Sequence, residues 1–99
     1  MSTVPALPDI AHDPDRRRFW TRIDGHEAEL LYTLRGQGTL VIDHTGVPEA
    51  IGGRGVAGAL VKAALEYVRA QGWQVVPACS YAAVYVQRHP EYADLVAAG

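Results

Sequence analysis

The spacing of apolar residues changes in mid-chain, and a run of glycines marks the change. Before it, side chains alternate: Ala28, Leu30, Tyr32 and Leu34 point one way, and Glu27, Glu29, Thr33 and Arg35 the other. After it, Val56, Leu60, Ala63, Ala64, Tyr67 and Val68 recur at helical spacing. Between them lies Ile51-Gly52-Gly53-Arg54-Gly55-Val56-Ala57-Gly58-Ala59-Leu60, with four glycines among seven residues. A tight turn needs fewer than that. A chain that passes from strand to helix this way belongs to the α/β class.

The elements around the loop follow from local signals. Arg16 to Ile23 alternates as a first strand, with Arg17, Phe19, Thr21 and Ile23 on one face. Asp24-Gly25 predicts a tight turn, Glu27 to Arg35 a second strand, and Gly36-Gln37-Gly38 the next turn. Thr39 to His44 is the third strand, with β-branched Val41 and Ile42 at its centre. Gly72 ends the helix, and Lys62, Glu66 and Arg69 on its outer face stand at pairing distance. Trp73 to Val76 is a short fourth strand closed by Pro77, and Ser80 to Arg88 a second helix. Pro90 opens a last helical turn, with Glu91 near its positive end. The order is β-β-β-α-β-α, which predicts a mixed, mostly antiparallel sheet whose third and fourth strands run parallel across the crossover helix.

At 99 residues the chain has room for one domain and one core. Residues 1–15 carry Pro5, Pro8, Pro14 and three aspartates without periodicity, which predicts a flexible tail ahead of a domain over 16–99. The net charge of -2 argues against a nucleic-acid partner, and Arg16-Arg17-Arg18 reads as a solvated strand entry. Cys79 is the single cysteine, so no internal disulfide and no cysteine-based metal site is expected. No apolar run approaches the ~20 residues of a membrane span, and the N-terminus lacks a signal-peptide pattern. The expectation is a cytoplasmic protein with no membrane partner, either a monomer or a weak homodimer.

The loop itself points to a phosphate-bearing ligand. Glycines allow positive φ and close approach of a ligand to the backbone. A helix N-terminus presents unpaired N–H groups and a partial positive charge. Arg54 adds a cation, and Ala57, Gly58 and Ala59 keep the first turn bare. Three ligand classes compete. A Walker-type loop requires a Gly-Lys-Ser/Thr ending, which Arg54-Gly55-Val56 does not supply. A dinucleotide loop is matched literally by Gly53-x-Gly55-x-x-Gly58, but Val75, Val76 and Pro77 stand where its acidic partner belongs. The third class is acyl-CoA.

Val47…Gly52-Gly53-Arg54-Gly55-Val56-Ala57 resembles the pyrophosphate loop of the GNAT acetyltransferase superfamily. Gly52 stands where that superfamily usually has Gln or Arg, so what carries over is the backbone cradle. Four blocks in order extend the resemblance: His44-Thr45-Gly46-Val47-Pro48, Gly53 to Ala57, Pro77-Ala78-Cys79-Ser80-Tyr81, and His89-Pro90-Glu91-Tyr92 with Asp94-Leu95. Together they look like the minimal, single-domain branch of the superfamily, over nearly everything from Phe19 to Val96.

The resemblance implies acetyl transfer from acetyl-CoA to a primary amine of unknown identity, without a metal. It implies that the pyrophosphate sits on the loop from Gly52 and Gly53 through Arg54, Gly55, Val56 and Ala57 to Gly58. Pantetheine would pair with Val41, Ile42, Asp43 and His44, where the sheet splays, and Ser80 and Tyr81 would be further cofactor contacts. The thioester would lie near Cys79, which precedes a helix. The positive end of a helix favours an anionic sulfur, so Cys79 either accepts the acetyl group or lines the site while the amine attacks directly. Ala83-Val84-Tyr85 resembles the segment in which many superfamily enzymes place a tyrosine near the CoA sulfur, and a phenol can donate to a departing thiolate. His44, His89 and Glu49 are the nearest candidates for a base, and none stands out. Two rival readings stay open: a non-catalytic acyl-CoA binding module and a nucleotide-binding domain.

Overall fold

Alternation along the second long strand decides where the helices go. Ala28, Leu30 and Tyr32 are buried, while Glu27, Thr33 and Arg35 on the other face are exposed. In the computed structural model, which describes residues 9–97, one sheet runs in the order β1-β2-β3-β4-β5. Its strands are β1 (Ala11–Asp13), β2 (Arg18–Ile23), β3 (His26–Arg35), β4 (Thr39–Gly46) and β5 (Gln74–Pro77). Neighbours are antiparallel except β4 and β5, which are parallel across helix α1 (Val56–Gln71). Helix α2 (Ser80–Arg88) and a 3-10 turn (Pro90–Leu95) follow.

The helices share one face of the sheet. Val56, Leu60, Val61, Ala64, Leu65 and Val68 of α1 form one core with Phe19, Ala28, Leu30, Leu40, Ile42 and Val75 of the strands, and Ala82, Tyr92 and Leu95 join from the C-terminal part. Each fully buried Leu, Ile or Val contributes roughly 1.5–3 kcal/mol by leaving water. The other face of β2 and β3 is polar: Arg18 pairs with Glu27 and Glu29, Arg22 pairs with Glu27, and the Arg18 guanidinium lies 5.3 Å from the Trp20 ring. Gly72 closes α1 at φ 72°, giving its N–H to Arg69, while the Trp73 N–H reaches the Val68 carbonyl at 3.0 Å.

Three features depart from the sequence reading. Within the expected tail, residues 1–8 lie outside the described residues, but Ala11–Asp13 forms β1 and pairs with β2. The reason is tertiary: His12 stacks on Phe19 with ring centroids 4.1 Å apart, a contact that local pattern does not announce. Arg17 is not a strand residue but ends the turn that joins β1 to β2, at φ 53°. The carboxylate and guanidinium partners on α1 also differ. Glu66 accepts from the Tyr92 hydroxyl at 2.5 Å, and Arg69 reaches Asp94 and the Glu91 carbonyl, so both tie α1 to the last turn and not to each other.

Candidate active site

The site begins where two strands part. β4 pairs with β5 only from Thr39 to Ile42, yet continues against β3 to Gly46. The Cys79 N–H donates to the Ile42 carbonyl at 3.0 Å and closes the ladder. Ile42, expected as a cofactor contact, therefore has its main chain engaged on this side, while Val41, expected likewise, lies within the same ladder opposite Val76 and opposite Thr33 of β3. The open edge comprises Asp43, His44, Thr45 and Gly46. The register against β3 slips by one between Leu31 and Tyr32, which makes Asp43 the extra residue of a bulge. The Thr33 hydroxyl donates to the Asp43 carboxylate, which holds that side chain on the helix-free face. His44 is exposed and folds back over Gly46, where a Cβ would come within 2.9 Å of its Nε2.

The glycine loop stands across this gap. After β4 the chain makes a 3-10 turn, Glu49–Ile51, anchored by the fully buried Ile51. Gly52 uses its N–H on the Glu49 carbonyl at 3.0 Å, which withdraws it from the set of free donors. Gly53 and Gly55 sit at φ 77° and 75° with open space where a side chain would be. Gly55 is the N-cap of α1, and no side chain caps that end. No acidic residue lies in the first turn. Val56, Ala57 and Gly58 thus carry the orphan N–H groups of the helix, since the first intrahelical bond runs from Ala59 to Gly55 at 3.0 Å. Arg54 is pinned sideways, 2.7 Å from Asp24 in the β2–β3 turn.

Cys79 faces the same gap. It is half-buried and is the N-cap of α2; its sulfur accepts from the Ala82 N–H at 3.3 Å and lies 3.5 Å from the Thr45 hydroxyl. Ser80 and Tyr81 follow it, both exposed in the first turn of the helix.

Tyr85 stands one turn after Tyr81 on the same face of α2, toward α1, with ring centroids 6.4 Å apart. A Cβ on Gly58 would be 3.4 Å from the Tyr81 hydroxyl and 3.6 Å from the Tyr85 ring, ordinary contact distances that place both rings beside the first turn of α1. A groove of about 410 Å³ runs along α1 from here, lined by Gly55, Gly58, Lys62, Glu66, Tyr85 and Ile10. Burial, then the neighbouring Tyr81, Glu91 and Glu66, push the Tyr85 phenol above its ordinary range, so it keeps its proton at neutral pH. His89 stacks on Tyr85 at 3.9 Å and 14°, and its Nδ1–H donates to the Tyr85 carbonyl at 2.8 Å. Glu49 is exposed on the 3-10 turn. Lys62 and Ile10 were outside the sequence expectation. Lys62 does lie four residues after Gly58, on the same helical face, and makes no ion pair among the described residues. Among the described residues no group of His, Cys, Asp and Glu could hold a metal ion, and no helix is long and apolar enough to cross a membrane.

The sequence and the fold both have relatives. A family model for GCN5-related N-acetyl-transferases matches residues 18–95. Protein NATD1 of Xenopus tropicalis is 40% identical over 83 residues, covering 82% of this chain and 76% of that protein. Protein NATD1 of Danio rerio is 36% identical over 91 residues, covering 88% and 83%. The solution structure of a GCN5-like protein from Staphylococcus aureus superimposes with a TM-score of 0.73 at 27% identity, over 95% of this chain and 92% of that one.

Proposed function

The chain belongs to the GCN5-related N-acetyltransferase family, and from that premise we propose that it transfers an acetyl group from acetyl-CoA to a primary amine. The observation that carries the proposal is a convergence. The uncapped N–H groups of Val56, Ala57 and Gly58, the open edge of β4 from Asp43, and the Cys79 sulfur all border the gap between β4 and β5.

The residues fit acetyl-CoA. Free N–H groups at a helix N-terminus without acidic neighbours suit a pyrophosphate, and the positive-φ glycines keep its approach clear. The amide groups of pantetheine match a bare strand edge at Asp43 and His44. Lys62, without an ion pair among the described residues, supplies a further cation for a phosphate along the groove. Acetyl-CoA brings an activated acyl group, and the protein's part is to place it and receive it.

In the proposed chemistry the Cys79 thiol loses its proton to solvent and its sulfur attacks the thioester carbonyl. A bond from Cys79 to the acetyl carbon forms and the CoA sulfur–carbon bond breaks. The Tyr85 phenol, held protonated by its surroundings, hydrogen-bonds the departing thiolate, which takes its proton from solvent. The amine then attacks the acetyl-cysteine, the nitrogen–carbon bond forms, the Cys79 sulfur is released, and the amine proton goes to solvent.

Melting with excess CoA, acetyl-CoA, NAD and ATP tests the ligand. A ligand at 100 times its Kd adds about 2.7 kcal/mol, and each kcal/mol moves Tm by roughly 4–8 °C for a domain of this size. A shift with CoA compounds alone, followed by an acetyl adduct on Cys79 by intact mass and turnover with a primary amine, supports the reading. Binding without turnover makes the protein an acyl-CoA binding module. No adduct but normal turnover makes the amine attack direct.

A further inference from the structure

The groove along α1 is lined by Tyr85 and by Ile10, which comes from outside the strand–loop–helix unit. Ile10 is carried there by β1. This strand is three residues long and pairs with β2 alone, through Ala11 to Trp20, His12 to Phe19 and Asp13 to Arg18. Three pairs at a sheet edge are a weak anchor.

His12 supplies the rest of the attachment. Its ring lies parallel to Phe19 of β2, with centroids 4.1 Å apart and planes 4° apart. It meets Tyr67 of α1 edge-on at 4.5 Å. Its Nε2 is 2.6 Å from the Tyr32 hydroxyl of β3. One side chain therefore ties β1 to two strands and the crossover helix.

We infer that β1 is a strap forming one wall of the ligand groove, with Ile10 contacting bound CoA and His12 the positioning residue that pins the strap in place. The inference rests on the acetyl-CoA reading above. A branched apolar side chain lining a groove that also takes in Gly55 and Gly58, at the uncapped end of α1, suits an apolar part of a CoA whose pyrophosphate sits on that end. Gly55 and Gly58 bring no side chain to the groove, so Ile10 supplies apolar contact there.

The pin is also titratable. The groups that face it are Asp13 on its own strand, Tyr32 from β3 and Tyr67 from α1, with Arg17 of the adjoining turn acting on Tyr32. Burial lowers His12 below the ordinary imidazole range, against the opposing effect of Asp13. Docking of β1 therefore favours the neutral ring. It is complete above the ordinary imidazole value and lost as pH falls below it.

The test is titration calorimetry of CoA binding to wild type, Ile10→Ala, Ile10→Asp and His12→Phe, with the melting temperature of each free protein alongside. Ile10 is only half-buried, so its variants are expected to keep the wild-type Tm within about 2 °C while binding CoA roughly three- to tenfold more weakly. Ile10→Asp is expected to be the weaker of the two. His12→Phe keeps the stacking but cannot titrate, so its affinity is expected to hold between about pH 7.5 and about pH 5.5 better than that of wild type. Folded Ile10 variants that bind CoA as wild type does overturn the strap. Wild type that binds no CoA overturns the ligand reading instead, and the inference with it.

Discussion

The amide of Cys79 donates to the carbonyl of Ile42 at 3.0 Å, and this bond marks the last rung between β4 and β5. It sets two things at once. The backbone of β4 beyond Ile42 is left free on that side, and the Cys79 side chain is fixed at the mouth of the opening. In the proposed binding mode, a substrate paired with the bare edge runs toward the sulfur.

Two glycine-to-alanine changes, one at the end of the loop and one in the first turn of α1, should move stability in opposite directions. Gly55→Ala puts a side chain on a residue at φ 75°, with nothing to clash against, so its cost is conformational, about 1 kcal/mol. Gly58→Ala sits inside a helix, where alanine gains up to ~1 kcal/mol, against contacts of 3.4 and 3.6 Å to Tyr81 and Tyr85 that it tolerates. Thermal melts should show Gly55→Ala several degrees below wild type and Gly58→Ala at or above it. Both should weaken CoA, because both alter the surface beneath the pyrophosphate. Tight CoA binding by both would separate the loop from the ligand.

Cys79 should show a structural and a chemical role separately. Cys79→Ala leaves the Ala82 N–H without its acceptor, at a cost of roughly 0.5–1 kcal/mol. Cys79→Ser keeps an acceptor at the N-cap and should melt near wild type. Both should lose turnover at least tenfold if the sulfur carries the acetyl group, as a drop in kcat at unchanged CoA affinity. Full activity in Cys79→Ser would dismiss the cysteine as nucleophile.

In the proposed mechanism Tyr85→Phe removes one hydrogen bond to a developing thiolate. Bonds to charged groups contribute about 1.5–3 kcal/mol, which is roughly ten- to a hundredfold in kcat. Because burial raises the phenol above its ordinary value of 10.0, wild-type activity should show no loss from Tyr85 ionisation below that pH. Steady-state rates across alkaline pH check both statements.

Stability should fall in strong alkali through Tyr92. Burial, and then the bond to Glu66, raise its phenol far above the ordinary value of 10.0. The unfolded chain therefore releases the proton at a pH where the folded one still holds it. The stabilisation is complete below pH 10.0 and declines as pH rises beyond it. Chemical denaturation from neutral pH upward should show this slope, reduced in Tyr92→Phe.

Much of this architecture is written in local pattern. Alternation at Ala28, Leu30 and Tyr32 and helical spacing from Val56 to Val68 correspond to β3 and α1, and glycines stand at the ends of the helix that need φ > 0. What escaped pattern is what depends on distant partners. β1 is held by one imidazole among rings from three other elements. Glu66 and Arg69 have their partners on the last turn, twenty or more residues away. At the site, the strand–loop–helix order placed the gap, but only the pairing register shows that the β4–β5 ladder runs to Ile42 and stops before Asp43. Ile10 gave no signal, since nothing in its neighbours connects it with a loop more than forty residues on.

The chain's return past β5 carries a last consequence. Val96 bridges to Val75, and the Ala97 N–H donates to the Val75 carbonyl at 2.9 Å. Pro77, at the end of the same strand, has no N–H to offer. The outer flank of β5 is thus closed to a visiting strand, and the opposite flank of the sheet is the three-residue β1. Foreign chains find little to template on at either border. The appetite of the sheet for an extended, amide-bearing visitor is concentrated inside the molecule's own notch, at the four residues from Asp43 to Gly46.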